Sequence, residues 1–265
     1  MKIPTTRLSV IELAMWATFV AVLAMQYTER RLAPFLSTDN QEAEAFAQKY
    51  GPSHHSGYVE EWILKDFFQD RRDGVFVDVG ANHYEQGSNT YYLERSMGWS
   101  GIAIEPQVKF ASGYQEHRPR TTFVPLFISN VSNQQATLYV TGTDAVASYV
   151  REFTERWGEV TPTTTTTSTL DDVLDRLKVS RIDFLSMDIE LAEPQALAGF
   201  SIGRFRPSLV AIEAHAPVRQ QILDYFAQND YVLLGRYWRV DAHNFWFAPL
   251  GDTEHADSAA LVHSD

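Results

Sequence analysis

From Val75 onward short apolar runs alternate with helical stretches, and this alternation most restricts what the chain can fold into. It predicts strands over residues 75–79, 102–105, 123–129, 137–140, 182–187, 209–212, 231–234 and 244–247. Helices are predicted over 58–69, 89–97, 108–116, 194–198 and 218–228. In the first of these helices Val59, Ile63 and Phe67 recur at i, i+4 and i+8, so they share one face. Another helix starts at Thr169-Leu170-Asp171-Asp172, with Thr169 as its N-cap. Strands separated by helices bury a parallel sheet between two helical layers, so the chain is read as α/β with a mostly parallel sheet and helices on both faces. No long helix fits between the last two strands, which predicts an antiparallel hairpin at one sheet edge. The five threonines at 163–167 are β-branched and read as an extended edge segment.

Ahead of this body lies an uncharged run at residues 13–28, with Lys2 and Arg7 before it and Arg30 and Arg31 after it. A membrane span needs roughly 20 apolar residues. The run fits a single N-terminal anchor within residues 1–31. It also fits a signal-like segment with small residues at Val22 and Ala24, or an interfacial helix. Residues 32–57 read as a connector with a short helical stretch; its His54-His55 pair sits among Gly, Pro and Ser and reads as loop. The body occupies 58–250. Residues 251–265 are acidic, poor in large apolar side chains, and read as a disordered tail. Across 265 residues, 22 Lys+Arg against 34 Asp+Glu give a net charge of −12. That balance argues against a nucleic-acid partner, which needs a basic face. The absence of cysteine excludes disulfides, thiolate metal sites and a cysteine nucleophile.

The first predicted strand ends in Asp78-Val79-Gly80-Ala81-Asn82. Open α/β sheets bind ligands beyond the carboxyl ends of their strands. Gly80 allows a tight turn and close approach, and Asp78 can accept hydrogen bonds or face a cation. The glycine pattern that cradles a pyrophosphate is absent, which sets aside a nicotinamide enzyme. Glu105 ends the next strand, where an acid takes ribose hydroxyls by charge-assisted bonds. Two acids and a small-residue loop without a phosphate cradle fit S-adenosylmethionine, which carries a ribose and an ammonium but no phosphate.

The segments VFVDVGAN, SNTYYLERSMGWSGIAIEP, TLDDVLD, DFLSMDIELAEPQALAGF and VAIEAH stand here in an order that resembles the FkbM-type methyltransferases, over about residues 58–249. The resemblance implies a Rossmann-like methyltransferase fold, S-adenosylmethionine as methyl donor, and O-methylation of a sugar, lipid-linked or natural-product hydroxyl. By position it places Asp78, Gly80, Ala81, Asn82 and Glu105 at the cofactor; Ser129, at the end of the third strand, joins that set. Asp188, Glu190 and Glu193 correspond to the family's acidic stretch. Two residues depart from the pattern. Leu191 stands where the family usually has glycine, which is expected to change the local turn, and Ser186 stands where it often has lysine.

Asp188 and Glu190 are two residues apart at one strand end, and Glu213 and His215 are two apart at the next, so each pair shares a face. Asp188, Glu190 and His215 are the candidate catalytic residues, one of them a general base. Alternatively Asp188, Glu213 and His215 would bind a divalent cation that acidifies a substrate hydroxyl; structural pairing with Arg204 or Arg206 is a third reading. His83 reads as a satisfied loop residue. Tyr91, Tyr92, Trp99, Tyr237 and Trp238 would line an acceptor pocket or belong to the core. The expected protein is a membrane-tethered methyltransferase with its catalytic domain in the cytoplasm and a small-molecule or lipid-linked acceptor. A secreted form, and a catalytically silent Rossmann-like binding or trafficking module, are the alternatives.

Overall fold

A computed structural model describes residues 41–51, 55–142 and 146–251. By its internal contacts the chain divides into Met1–Gln41 and Glu42–Asp265, and the fold belongs to the second unit. The anchor or signal-like segment, His54, the first residues of the connector and nearly all of the acidic tail lie outside the described residues. Among the described residues no helix is long and apolar enough to cross a membrane.

Seven strands form the main sheet: β1 (Val75–Val79), β2 (Ser100–Ile104), β3 (Thr121–Val124), β8 (Phe184–Met187), β9 (Leu209–Glu213), β10 (Tyr231–Leu233) and β11 (Asn244–Pro249). They run in the order β10-β11-β9-β8-β1-β2-β3. All pairings from β3 through β9 are parallel. β11 runs antiparallel to both β9 and β10, so the hairpin expected at the edge is present.

The period of two dictates the layers. Val77, Val79, Leu185, Met187, Val210, Ile212 and Phe247 pack on one face of the sheet. Phe76, Phe184, Leu209, Ala211, Trp246 and Ala248 pack on the other, together with Ile63, Leu64 and Phe68 of the helix Glu60–Phe68. Apolar residues on both faces explain why these strands read as near-continuous hydrophobic runs. The helix that precedes it, Gln41–Tyr50, also packs on this unit: the Tyr50 hydroxyl donates to Asp66 Oδ1 at 2.7 Å, and Phe46 meets Tyr237 edge-on. The structured body therefore begins before residue 58.

The expected strand over 123–129 is two strands. Pro125 lacks the N–H that would continue the ladder, so β3 stops at Val124 and a separate β4 (Phe127–Ile128) follows. β4 belongs to a second sheet with β5 (Gln135–Thr141), β6 (Ala147–Ser148) and β7 (Val160–Ser168), in the order β4-β7-β5-β6. The threonine run lies in β7. It pairs with β5 along its length, while β4 joins only at Thr167 and Ser168, so Thr163–Thr166 form an edge as expected. Thr169 caps the next helix by accepting from Asp172 N at 3.1 Å.

Candidate active site

The strand tips of β1, β2 and β8 open onto a cavity of about 650 Å³. Asp78, Gly80, Ala81, Asn82, Glu105, Asp188 and Glu190 all line it, and no Lys or Arg among the described residues does. Gly80 has φ +86°, and a Cβ there would stand 1.7 Å from the Asp188 carbonyl oxygen. Only glycine lets the first loop lie this close to the β8 tip. Asp188 N donates to Val79 O at 2.9 Å, closing the same junction. The loop is held on its other side by Gly80 N to Ile104 O at 2.9 Å and by the Tyr114 hydroxyl to Ala81 O at 3.1 Å.

Glu105 is buried, and its two oxygens accept from the backbone of Asn82 (3.1 Å) and Gln107 (2.9 Å). Burial raises its carboxyl above the usual range, against the pull of those two amides. Asp78 is also buried and raised by desolvation, and the hydroxyls of Thr90 and Ser186 and the charge of Arg118 oppose that rise.

The predicted reactive residues meet beyond β8 and β9. His215 Nε2 lies 3.0 Å from Glu213 Oε1 and 3.3 Å from Glu190 Oε2, with Phe153 edge-on to the ring. Two carboxylates on one nitrogen push the imidazole up to about 10. His215 therefore carries a proton at neutral pH, which removes it as a free base in this state. Asp188 is solvent-exposed where it lines the cavity, although protein packs closely around its carboxyl. That enclosure, together with Glu213, Glu190 and Glu193, raises its carboxyl well above the usual range. Glu190 is raised by burial, an effect countered by its hydrogen bond to His215. Glu193 is fully buried and pushed up to about 8, chiefly by desolvation. Its Oε1 accepts from Ile189 N, while its Oε2, like Glu213 Oε2, is buried without a hydrogen-bond partner.

Some sequence assignments change. The three groups whose ligand atoms converge within 4.8 Å are Glu190, Glu213 and His215; Asp188, expected in that set, is replaced by Glu190. Ser129 does not line the cavity: it sits beyond the Pro125 break, where its N–H pairs with Ser168 O at 2.9 Å and its hydroxyl with Asn130. None of the five candidate acceptor aromatics lines the cavity, and Trp99 and Tyr237 are buried core. Tyr58, Phe110 and Phe127 line it instead. His83 also lines it, and its Nδ1 accepts from the backbone of Glu85 and Gln86, as its loop reading expects. Arg204 pairs with Asp175, away from the site acids. Leu191 does not break the glycine-type turn. It adopts φ +81°, after Glu190 at +55°, and the Ser148 hydroxyl clamps Glu190 O at 2.6 Å.

Sequence reasoning missed Thr90, Ser186 and Arg118 as supports of the site. The segment 88–90 reads as a helix cap, and Ser88 Oγ does accept from Tyr91 N at 3.2 Å. Thr90 spends its hydroxyl on Asp78 instead, at 2.8 Å.

A family model described as methyltransferase FkbM domain matches residues 78–233, more than half of the chain. No curated protein matches the chain. Among solved structures, a TehB-like SAM-dependent methyltransferase from Corynebacterium glutamicum is 13% identical, with 80% of this chain and 100% of that chain covered and a TM-score of 0.42. An O-methyltransferase from Bacillus cereus in complex with SAH is also 13% identical, with 84% and 97% covered and a TM-score of 0.40. A precorrin-6y C5,15-methyltransferase from Geobacter metallireducens is 12% identical, with 66% and 71% covered and a TM-score of 0.39.

Proposed function

Because the chain belongs to the FkbM methyltransferase family, we propose that its cavity binds S-adenosylmethionine and presents the methyl group to an acceptor hydroxyl held beside Glu190. The observation that carries this reading is the lining: four carboxylates, a glycine-permitted close approach at Gly80 and no Lys or Arg among the described residues. Such a wall suits a ligand with an ammonium, a sulfonium and ribose hydroxyls, and would repel a phosphate. Glu105 and Asp78 would hold the ribose and the cationic end, and the 80–82 loop would pass along the ligand. When bound, the cofactor supplies an electrophilic methyl carbon.

This chain's residues align the acceptor for in-line attack, a proximity effect, and receive the proton that a neutral alcohol must lose. Glu190 both lines the cavity and touches His215, so it is the proton acceptor in this reading. The His215 imidazolium holds Glu190 and Glu213 in place. A second reading is favoured by the convergence of three ligand atoms from Glu190, Glu213 and His215. A divalent cation would there displace the His215 proton and acidify the acceptor hydroxyl.

Calorimetry with S-adenosylhomocysteine tests the cofactor site: wild-type protein binds, and Glu105→Ala binds at least about tenfold more weakly. Folded wild-type protein that does not bind would favour the silent-module reading. Acceptor screening by mass then reads a gain of one methyl, and O-methylation is checked by the mass of the modified fragment. Loss of that activity on chelation, restored by a divalent cation, selects the cation reading; unchanged activity selects Glu190 as the base. The acceptor is taken to be a small-molecule or lipid-linked hydroxyl compound, and the acidic balance of the chain argues against nucleic acid. Residues 1–31 are proposed to tether the domain to a membrane with the catalytic unit on the cytoplasmic side, where the cofactor is supplied. Release of full-length protein into a soluble fraction without detergent would overturn the tether.

A further inference from the structure

Asp78 lies at the floor of the cavity with one hydroxyl bonded to its carboxylate and a second beside it. The bonded one is Thr90 Oγ1, which donates to Oδ2 at 2.8 Å; the neighbouring one belongs to Ser186, its register partner on β8. Each hydroxyl is itself a target. Arg118 Nη2 donates to Thr90 Oγ1 at 3.2 Å, and Asn89 Nδ2 donates to Ser186 Oγ at 3.1 Å. A guanidinium can only donate, so Thr90 must accept from it, and the single hydroxyl proton of Thr90 is left for Asp78. Ser186 Oγ likewise accepts from the Asn89 amide, which leaves its own proton free to turn toward Asp78, its neighbour across the β1–β8 pairing. The Thr90 proton is thus committed to Asp78 and the Ser186 proton is available to it, and donors aimed at a carboxylate favour its charged form.

Arg118 is fixed for this task. It is buried among the rings of Phe76, Tyr91 and Tyr114. Its Nε bonds Glu94 Oε2 at 2.5 Å and its Nη1 bonds Tyr84 O at 2.8 Å. Glu94 is filled in turn by the Thr121 hydroxyl and Arg120 N.

We propose that Arg118 and Asn89 are positioning residues for cofactor binding, each acting through a hydroxyl, Thr90 or Ser186, to hold Asp78 in place as an anion at the cavity floor. The inference rests on the proposed cofactor site, in which Asp78 faces the ligand. The charged and titratable groups facing Asp78 are Arg118 with Glu94 behind it and Tyr114 on the helix Ala111–His117. Glu105, Asp188 and Glu190 line the same cavity.

The test is the pH dependence of S-adenosylhomocysteine binding to the full chain, measured by calorimetry beside thermal unfolding. Thr90→Val keeps shape and leaves the Arg118–Glu94 pair intact, but removes the proton given to Asp78. A hydrogen bond to a charged group is strong enough to make the expected rise in Kd about tenfold near neutral pH. Losing it also removes one of the groups that oppose the effect of burial on Asp78, so the acid limb of binding moves to higher pH. Thr90→Ser restores both. Ser186→Ala, a small change that leaves Thr90 untouched, displaces the limb in the same direction and serves if Thr90→Val does not fold. A merely structural role would lower the melting temperature and leave the acid limb where it is. Wild-type binding with an unmoved acid limb in Ser186→Ala and in folded Thr90→Val overturns this inference alone. Folded wild-type protein that does not bind overturns the cofactor reading and this inference with it.

Discussion

Leu191 offers a direct measure of strain at the site. It has φ +81° and is nearly buried, at 8% exposure. A non-glycine residue in this left-handed region costs about 1–2 kcal/mol. Leu191→Ala loses the buried side chain and keeps the strain, so it should destabilise by about 2–5 kcal/mol. Leu191→Gly loses slightly more side chain and adds backbone freedom to the unfolded chain, which ordinarily makes glycine about 0.5–1 kcal/mol worse than alanine. Here it also relieves the strain. The net is glycine more stable than alanine by about 0.5–1 kcal/mol, an inversion of the usual order. At this chain length the difference corresponds to about 1–4 °C in melting temperature. Leu191→Asn should fall between the two, because asparagine tolerates the left-handed region. Urea unfolding of the three variants at one pH reads the order. Alanine as stable as glycine, or more so, would refute the claim that the turn is strained and that Ser148 and the buried leucine hold it against that strain.

Three further outcomes are expected from the geometry. Glu105→Gln offers one acceptor oxygen to two backbone amides, Asn82 N and Gln107 N, so one amide loses its bond to residue 105; a loss of about 1–3 kcal/mol in urea unfolding is expected, with weaker S-adenosylhomocysteine binding. Asp183 is buried at the start of β8, and despite the opposing effect of burial, the hydrogen bonds from Arg181 and Val75 N and the charge of Arg71 hold its carboxyl below the usual range. A lowered folded pKa gives stability that is present above the unfolded value of about 3.9 and lost as pH falls through the folded one. Asp183→Asn should cost about 1–3 kcal/mol at pH 7, a deficit that shrinks on acidification and that urea unfolding at several pH values will read. His215 runs the other way: its hydrogen bonds to Glu190 and Glu213 raise it to about 10, so its stabilisation is full below about pH 6.5 and is lost as pH rises through that raised value. His215→Asn should flatten the decline in stability between about pH 7 and 10, and an unchanged slope would mean that the two carboxylates do not share its proton.

Legibility in the sequence depended on which interactions leave a period. The strands β1, β8 and β9 were readable because both faces are buried, so each is a continuous apolar run with polar residues only where the run meets the cavity. That same rule exposed Asp78, Glu105, Asp188 and Glu213, which stand at strand tips. It failed at Pro125, where a single missing N–H splits one apolar run between two sheets and carries Ser129 away from the cavity. It also failed in choosing between Asp188 and Glu190 as the partner of His215. That choice depends on the left-handed pair Glu190–Leu191, a backbone state with no signature when glycine is absent. The residues that set protonation were hidden for a deeper reason. Arg118, Thr90 and Ser186 act along hydrogen bonds spanning 12 to 97 positions in the chain, and in sequence each is an ordinary polar residue. Burial makes such residues necessary: two carboxylates buried at the carboxyl ends of interior strands keep their charge only if donors are supplied from elsewhere. The acids announce the site. Whether they are anions in it is decided by partners that only the folded chain brings within reach, which is why the acid limb of cofactor binding, more than the acids themselves, measures how this site works.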